Sequence, residues 1–336
     1  MLDMGCGKGG DLQKWHACPQ GVELYVGLDP ADVSIDQARD RFLEMQRNPR
    51  RGPQRFLPPL FHGEFVVKDC FGEWIGDIPI IQQVGIDPSV GPNAGGMSAR
   101  FGGGGFDVVT MMFSMHYAFE NEVKARGMLR NVAGALKKGG RFIGVVPNSD
   151  VLSAKVIEYN TERAKSKAAN DPAAAIGGDG DEDEWDPEKT LDAPAPVATD
   201  PDDQHSDATA DPLEWGNKIY KVKFPGRVPH DGIFRPPFGW KYFFFLEEAV
   251  EEVPEYVVPW EAFRALAADY DLELQYRKPF EEIYDHEKND PILGPLSERM
   301  GVRQRRDAFG NEGGMLMNNE ELEAASFYHA FCFYKV

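Results

Sequence analysis

The 336-residue sequence predicts an α/β domain, a doubly wound and mostly parallel sheet with a small antiparallel addition. Three observations carry this. Short apolar runs alternate with segments of helical period through the first half of the chain. A glycine-rich turn joins the first apolar run to the first helical segment, and a carboxylate closes the second run. Beyond residue 215 the pattern changes to aromatic-rich strands separated by turn residues.

Leu2 to Met4 read as the end of a buried strand, Gly5, Gly7, Gly9 and Gly10 as a loop, and Asp11 to Trp15 as the start of a helix. Glycine suits a backbone that turns sharply and lets a ligand come close, because a Cβ would block both. Such a turn also presents free helix N–H groups above the strand ends. The spacing Gly5-x-Gly7-x-x-Gly10 fits a nicotinamide dinucleotide, S-adenosylmethionine or a plain turn equally well. Because Met1 falls inside the first strand, we expect an upstream segment.

Val22 to Leu28 is the second buried strand and ends in Asp29. Asp32 to Gln46 is a helix with Ile35, Ala38, Phe42 and Met45 on one face and Asp32 as N-cap. Glu64 to Lys68 is a third strand, ending at Asp69. Residues 72–105, rich in Gly and Pro and closing on Gly102 to Gly105, read as a surface insertion. Phe106 to Phe113 is the fourth strand. A helix follows over 120–137 with Met128, Leu129, Val132 and Leu136 inward, stopped by Gly139 and Gly140. Arg141 to Val146 is the fifth strand, ending at Pro147, and a helix runs from Asn148 to about Lys167.

Residues 170–214 are an acidic insert too poor in apolar residues to offset its ordering entropy, so it is expected to be disordered. Order is expected to return at Trp215. Lys218 to Phe224 and Lys241 to Leu246 are the antiparallel addition, Pro259 to Tyr270 a helix packing Phe263, Leu266 and Ala267, and Leu272 to Arg277 a strand. An aromatic strand, Ser326 to Tyr334, completes what reads as a single domain over 1–336.

The net charge of −19 is unevenly placed: residues 171–215 hold fifteen Asp or Glu and one Lys. The rest is close to balanced, so the acidity does not exclude an anionic substrate. No apolar run approaches membrane-spanning length, and no membrane partner is expected. Cys6, Cys18, Cys70 and Cys332 have no metal-type spacing and read as reduced cysteines, with no metal site expected.

Asp29 is placed to accept hydrogen bonds from both ribose hydroxyls of an adenosine above the glycine loop, and Asp69 from the adenine amino group. These roles suit a nicotinamide dinucleotide and S-adenosylmethionine alike.

The stretches GCGKGGD, DPADVSIDQARDRF (29–42), FSMHYAFE (113–120), MLRNVAGALKKGGRFIGVVPNSD (128–150) and PEYVVPWEAF (254–263) resemble the eukaryotic mRNA cap guanine-N7 methyltransferases, of fungal type, in order along the whole chain. FSMHYAFE with PNSD downstream is specific to that family. The resemblance implies a class I, Rossmann-like methyltransferase sheet that uses S-adenosylmethionine, releases S-adenosylhomocysteine and methylates N7 of the terminal guanosine of capped RNA. An Asn-Pro-Pro-aromatic motif, which would point to exocyclic base amines, is absent from the sequence.

Carried over by motif, Gly5, Asp11, Asp29, Asp69, Met112 and Tyr117 line the cofactor site, with Tyr117 between cofactor and guanine. Lys8 and Arg41 match positions that contact the cap phosphates, a sensible task for fixed cations. His116, Pro147, Tyr242, Phe244, Glu255 and Tyr328 match positions around the guanine. Glu255 offers two acceptors to the N1–H and N2–H pair, and His116 a donor to O6. Taken without the resemblance, Glu255 reads as solvated, His116 as a turn or core histidine, and Tyr242, Phe244 and Tyr328 as core.

Two departures stand out. Met112 replaces the family's usual Gln, and the family's N-terminal helix, which brings a Lys to the cofactor and an Asn to the cap, does not precede strand one. They motivate an alternative, a cap-binding scaffold without activity; a methyltransferase of small molecules is a third reading. The family implies a nuclear protein whose partners are the 5′ GpppN end of RNA and other capping enzymes or the transcription machinery.

Overall fold

The computed structural model describes residues 1–47, 59–92, 101–170, 212–305 and 313–336. The acidic insert over 170–214 lies almost wholly outside the described residues. Among these, the strands are β1 (Leu2–Met4), β2 (Leu24–Asp29), β3 (His62–Val67), β4 (Phe106–Met112), β5 (Leu136–Pro147), β6 (Leu213–Gly216), β7 (Tyr220–Phe224), β8 (Lys241–Leu246), β9 (Val250–Tyr256), β10 (Leu272–Pro279) and β11 (Tyr328–Lys335). The helices are α1 (Leu12–His16), α2 (Asp32–Arg47), α3 (Pro79–Val84), α4 (Glu122–Ala135), α5 (Ser149–Asn170), α6 (Trp260–Ala268), α7 (Phe280–Glu287), α8 (Leu293–Arg299) and α9 (Asn319–Ser326).

Two sheets result. The larger has the order β10-β11-β5-β4-β1-β2-β3, and the smaller the order β6-β7-β8-β9. In the larger, β1 to β5 run parallel, while β11 and β10 add antiparallel strands at one edge. The chain winds from β1 outward through β2 and β3, then crosses back to β4 on the other side of β1. That reversal opens a crevice at the C-terminal ends of β1 and β4, where such sheets bind ligands. The smaller sheet is antiparallel throughout. The expected class is the class found.

β1 is buried on both faces, as an apolar run in a parallel sheet should be. Leu2, Met4, Leu28, Met111 and Phe142 form one core with Met128, Leu129 and Val132 of α4 and Phe263 of α6. A second core joins Leu12 of α1 and Ile35, Ala38 and Phe42 of α2 to Tyr25 and Phe65 of β2 and β3. The inner face of the small sheet (Tyr220, Val222, Phe224, Tyr242, Phe244) packs on Leu152 and Val156 of α5 and on Phe327.

Several boundaries differ from expectation for local reasons. Residues 72–92 are not a plain surface loop: Ile75, Ile78, Ile81 and Ile86 belong to the main core, and Pro79 starts α3 in its first turn. Asp32 is the first residue of α2 rather than its N-cap, and its carboxylate still complements the positive helix end. Residues 115–120 form a 3₁₀ turn, and Asn121 caps α4 by accepting from the Lys124 N–H at 2.9 Å. β9, unforeseen because VEEVPEY is acidic and holds a proline, is an edge strand, where a missing N–H is tolerated. Helices α7, α8 and α9 and strand β6 were likewise unforeseen.

Candidate active site

The glycine loop is shaped from below. Gly5 has a φ of +77°, and a Cβ there would lie 2.5 Å from the Cβ and Oγ of Ser114. The Gly5 and Cys6 amides donate to the Leu28 carbonyl at 2.7 and 3.0 Å, and the Ser114 hydroxyl donates to the Met4 carbonyl at 3.0 Å. Gly7, at φ +52°, has open space where its Cβ would stand. Close packing beneath Gly5 and free space beside Gly7 make a cradle with one open side.

Asp29 binds that cradle to the helix behind it. Its Oδ2 accepts from the Gly7 N–H at 2.9 Å and its Oδ1 from the Ala31 N–H at 3.0 Å. A carboxylate oxygen has a second lone pair, so Asp29 can position the loop and still accept from ribose hydroxyls. Asp11 stands at the start of α1, where its Oδ1 accepts from Lys14 at 2.5 Å. Lys8 is exposed on the loop. The Arg41 guanidinium lies 3.9 Å from where a Gly10 Cβ would be, which brings a second cation to the loop's rim. Met112 sits at the end of β4, paired with Val145.

Asp69 turns the chain after β3: its Oδ1 accepts from Phe71 and Gly72 at 3.0 and 3.1 Å. The turn is held by buried Asn131 of α4, which donates to the Cys70 and Glu73 carbonyls at 2.9 and 2.7 Å and accepts from the Ile75 N–H at 3.3 Å. Lys68 reinforces it through ion pairs to Glu73 and Asp77 at 2.9 and 2.8 Å. Asn131 carries no local sequence signal, because it looks like any polar residue in a helix.

Asp3, beneath the loop, was also missed, because it lies inside an apolar run. Its carboxyl is buried and accepts from the Tyr25 and Thr110 hydroxyls at 2.7 and 2.8 Å. Burial outweighs those bonds and pushes its pKa from 3.8 up to about 6. The protonated form is thus favoured in the fold: the stabilisation is complete below pH 3.8 and is lost as pH rises through about 6. Between pH 4 and 7 the wild type is expected to lose on the order of 3 kcal/mol relative to Asp3→Asn. Urea unfolding of both proteins at several pH values measures this; parallel stability curves would contradict it.

Across the crevice, the 3₁₀ turn, β8, β9 and the start of β11 converge. Tyr242 and Glu255 are cross-strand neighbours on the inner face of the small sheet. The Tyr242 hydroxyl donates to Glu255 Oε2 at 2.7 Å. His116 Nε2 stands 3.3 Å from Glu255 Oε1. His116 is only 2% exposed, yet neither ring nitrogen has a hydrogen-bond partner of good geometry among the described residues. Its ring leans on Tyr117, with centroids 4.3 Å apart, and Tyr117 itself is 36% exposed.

Tyr328 pairs with Pro147 at the head of β11 and is ringed by Phe113, Phe244 and Phe280, with centroids at 5.0, 6.2 and 6.1 Å. Burial, and then the charge of Glu255, raises the Tyr117 hydroxyl to about 12 and pushes Tyr328 and Tyr242 up as well. These rings therefore share Glu255's surroundings and stay protonated at neutral pH. Phe244 is as fully buried as Tyr242, but it has no polar group to offer: it stacks on Phe327 at 5.3 Å and supports Tyr328 from behind. Phe113, not singled out from sequence, is half-exposed at φ +58°, a conformation of real cost for an aromatic residue.

The sequence-predicted residues thus fall into two groups. Gly5, Asp11, Asp29 and Asp69 stand at the ends of the parallel strands, with Lys8 and Arg41 beside the glycine loop. His116, Tyr117, Tyr242, Glu255, Tyr328 and Pro147 gather where the 3₁₀ turn, β8, β9 and β11 meet. Among the described residues there is no cluster of three or more His, Cys, Asp or Glu side chains that would hold a metal ion.

Residues 1–171 and 197–336 match the mRNA (guanine-N(7))-methyltransferase domain. An mRNA cap guanine-N(7) methyltransferase of Aspergillus clavatus is 62% identical over 336 residues, covering 100% of this chain and 56% of that protein. That of Aspergillus oryzae is 60% identical, over 100% of this chain and 61% of its own length. That of Schizosaccharomyces pombe is 38% identical, over 100% of this chain and 68% of its own length. The chain spans little more than half the length of the Aspergillus relatives. By the family match and by these identities, the chain belongs to the mRNA (guanine-N(7))-methyltransferase domain family.

Proposed function

We propose that the protein transfers the methyl group of S-adenosylmethionine to N7 of the terminal guanosine of capped mRNA, in the nucleus. The observation that carries this is the buried pair of His116 and Glu255. A histidine with two unmatched ring nitrogens, 3.3 Å from a carboxylate that is itself 4% exposed, is an expensive arrangement unless a polar ligand completes it. Guanine does so. Its N1–H and N2–H donate to Glu255, and its O6 accepts from His116; adenine offers neither pattern.

The residues around the crevice fit S-adenosylmethionine, because Gly7 leaves its side open and Asp29 keeps lone pairs toward it. Gly5, Asp11, Asp29 and Asp69 would hold that group, Met112 and Tyr117 would flank it, and when bound it supplies an electrophilic methyl on a sulfonium. N7 carries a lone pair and no proton, so the protein needs no general base. Its task is alignment: the Asp29 side fixes one partner, the Glu255 side fixes the other, and Tyr117 borders both without standing between N7 and the methyl group. As the base gains positive charge, the buried carboxylate of Glu255 and the faces of Tyr117 and Tyr328 stabilise it. Lys8 and Arg41 anchor the cap phosphates at the loop's rim. Other capping enzymes or the transcription machinery are the partners this role brings.

The direct test offers labelled S-adenosylmethionine with GpppA-capped RNA and with the same RNA uncapped. Methyl transfer to the capped RNA alone is expected. Transfer to both would overturn the cap assignment, and binding without transfer would favour a scaffold.

A further inference from the structure

The outer face of the small sheet is unlike a plain solvated surface. Strand alternation sends Tyr220, Val222, Phe224, Tyr242 and Phe244 inward, so Lys221, Lys223, Lys241, Phe243 and Phe245 face out. The register then sets each cation against a ring: Lys221 is opposite Phe245, Lys223 opposite Phe243, and Lys241 opposite Tyr256. Lys221 and Lys241 are exposed, and Lys223, Phe243 and Phe245 are half-buried. Phe243 and Phe245 belong to none of the buried clusters and touch no other aromatic ring among the described residues.

The acidic groups nearby lie at the margins. Glu214 pairs in register with Lys223 from the neighbouring strand, and Glu120 lies within reach of Lys241 but is taken up by Lys124. Glu251 and Glu252 lie on β9 across from Phe245, where the register with β8 shifts, one strand away from the lysines of β7. None of the three lysines forms an ion pair with a described residue within 4.0 Å.

We infer that this face binds the single-stranded RNA body that follows the cap. Single strands are held without sequence preference by cations on the phosphates and aromatic rings under the bases, and here the two alternate in register. An acidic peptide, such as this chain's own residues 171–211, would use the lysines but not the rings. The position is apt, because the same two strands present Tyr242 and Glu255 on their other side. The inference rests on the capped-RNA reading for its substrate, and its test is chosen to stand apart from that reading.

The probe is a labelled, uncapped RNA of roughly twenty nucleotides, longer than a typical single-strand site, followed by fluorescence anisotropy across a salt series. Lys221→Gln with Lys223→Gln should weaken binding about tenfold at low salt and flatten the salt slope by about 1.4, roughly 0.7 per lost phosphate contact. Phe245→Leu, which keeps the apolar bulk, should weaken binding several-fold at an unchanged slope. The Michaelis constant for GpppA-capped RNA should rise with these variants, and that for the GpppA dinucleotide should not. RNA affinity unchanged in the lysine variant overturns the inference. So does tighter RNA binding, which would mean that the lysines hold the acidic segment. A parent protein that binds the probe but methylates no capped RNA would fail the functional reading alone.

Discussion

Glu255→Gln is expected to lower kcat/KM for methylation of GpppA-capped RNA by about a thousandfold or more, while affinity for S-adenosylmethionine stays within about twofold. The size follows from what glutamine does there. Opposite the N1–H and N2–H donors of guanine, one acceptor becomes a donor, and two charge-assisted bonds, each worth about 1.5–3 kcal/mol, are broken or weakened. The negative charge that would stabilise the methylated base is lost as well. The fold should tolerate the change, because glutamine has the same shape and the Tyr242 hydroxyl can turn to meet it. Isothermal titration with S-adenosylmethionine and steady-state kinetics on capped RNA read the two arms. Near-normal kinetics in this variant would remove Glu255 from the guanine site and with it the main support for the proposed substrate.

Gly5→Ala should be nearly as damaging, through the fold rather than the chemistry. The added carbon must share space with the Ser114 side chain 2.5 Å away, at a φ of +77°. Overpacking of this kind costs about 1–3 kcal/mol, a left-handed backbone about 1–2 more, and a displaced Ser114 loses its bond to the Met4 carbonyl. A total of about 3–5 kcal/mol is expected in chemical denaturation, together with loss of S-adenosylmethionine binding as the loop shifts. Gly7→Ala is the control. Nothing lies within 4 Å of its new carbon, so only the left-handed backbone cost of about 1–2 kcal/mol should appear in stability. Equal losses in the two variants would mean that the packing under Gly5 is not what fixes the loop.

How much of this was legible depends on whether the signal was local. The β1 turn, Asp29 and the strands around them are written in short contiguous stretches, and a bond such as that from the Gly7 N–H to the Asp29 carboxylate follows almost directly from them. The meeting of His116 with Glu255 is not local. It requires the small sheet to fold over the crevice, and only the family's motifs foretold it. Phe244 shows the limit of that carry-over: a motif places a residue near a site but does not say whether it faces the ligand or its neighbour. Asp3 and Asn131 were hidden for opposite reasons. One is a charge inside an apolar run, the other an ordinary helix residue whose amide happens to reach three backbone groups. Residues 72–92 misled through composition, since glycines and prolines masked the isoleucines that reach the core.

The strand that carries Glu255 also has a bearing on how the protein behaves in solution. β9 ends its sheet, and an unpaired strand edge is a template on which another chain can grow. Here Pro254 withdraws one donor, Glu251 and Glu252 add charge, and Glu252, at φ +36°, breaks the line of the ladder where the register shifts. These are the means by which edges are made unattractive to other strands. They sit next to the residue that reads the base, so the wall of the pocket is kept from becoming a seam between molecules.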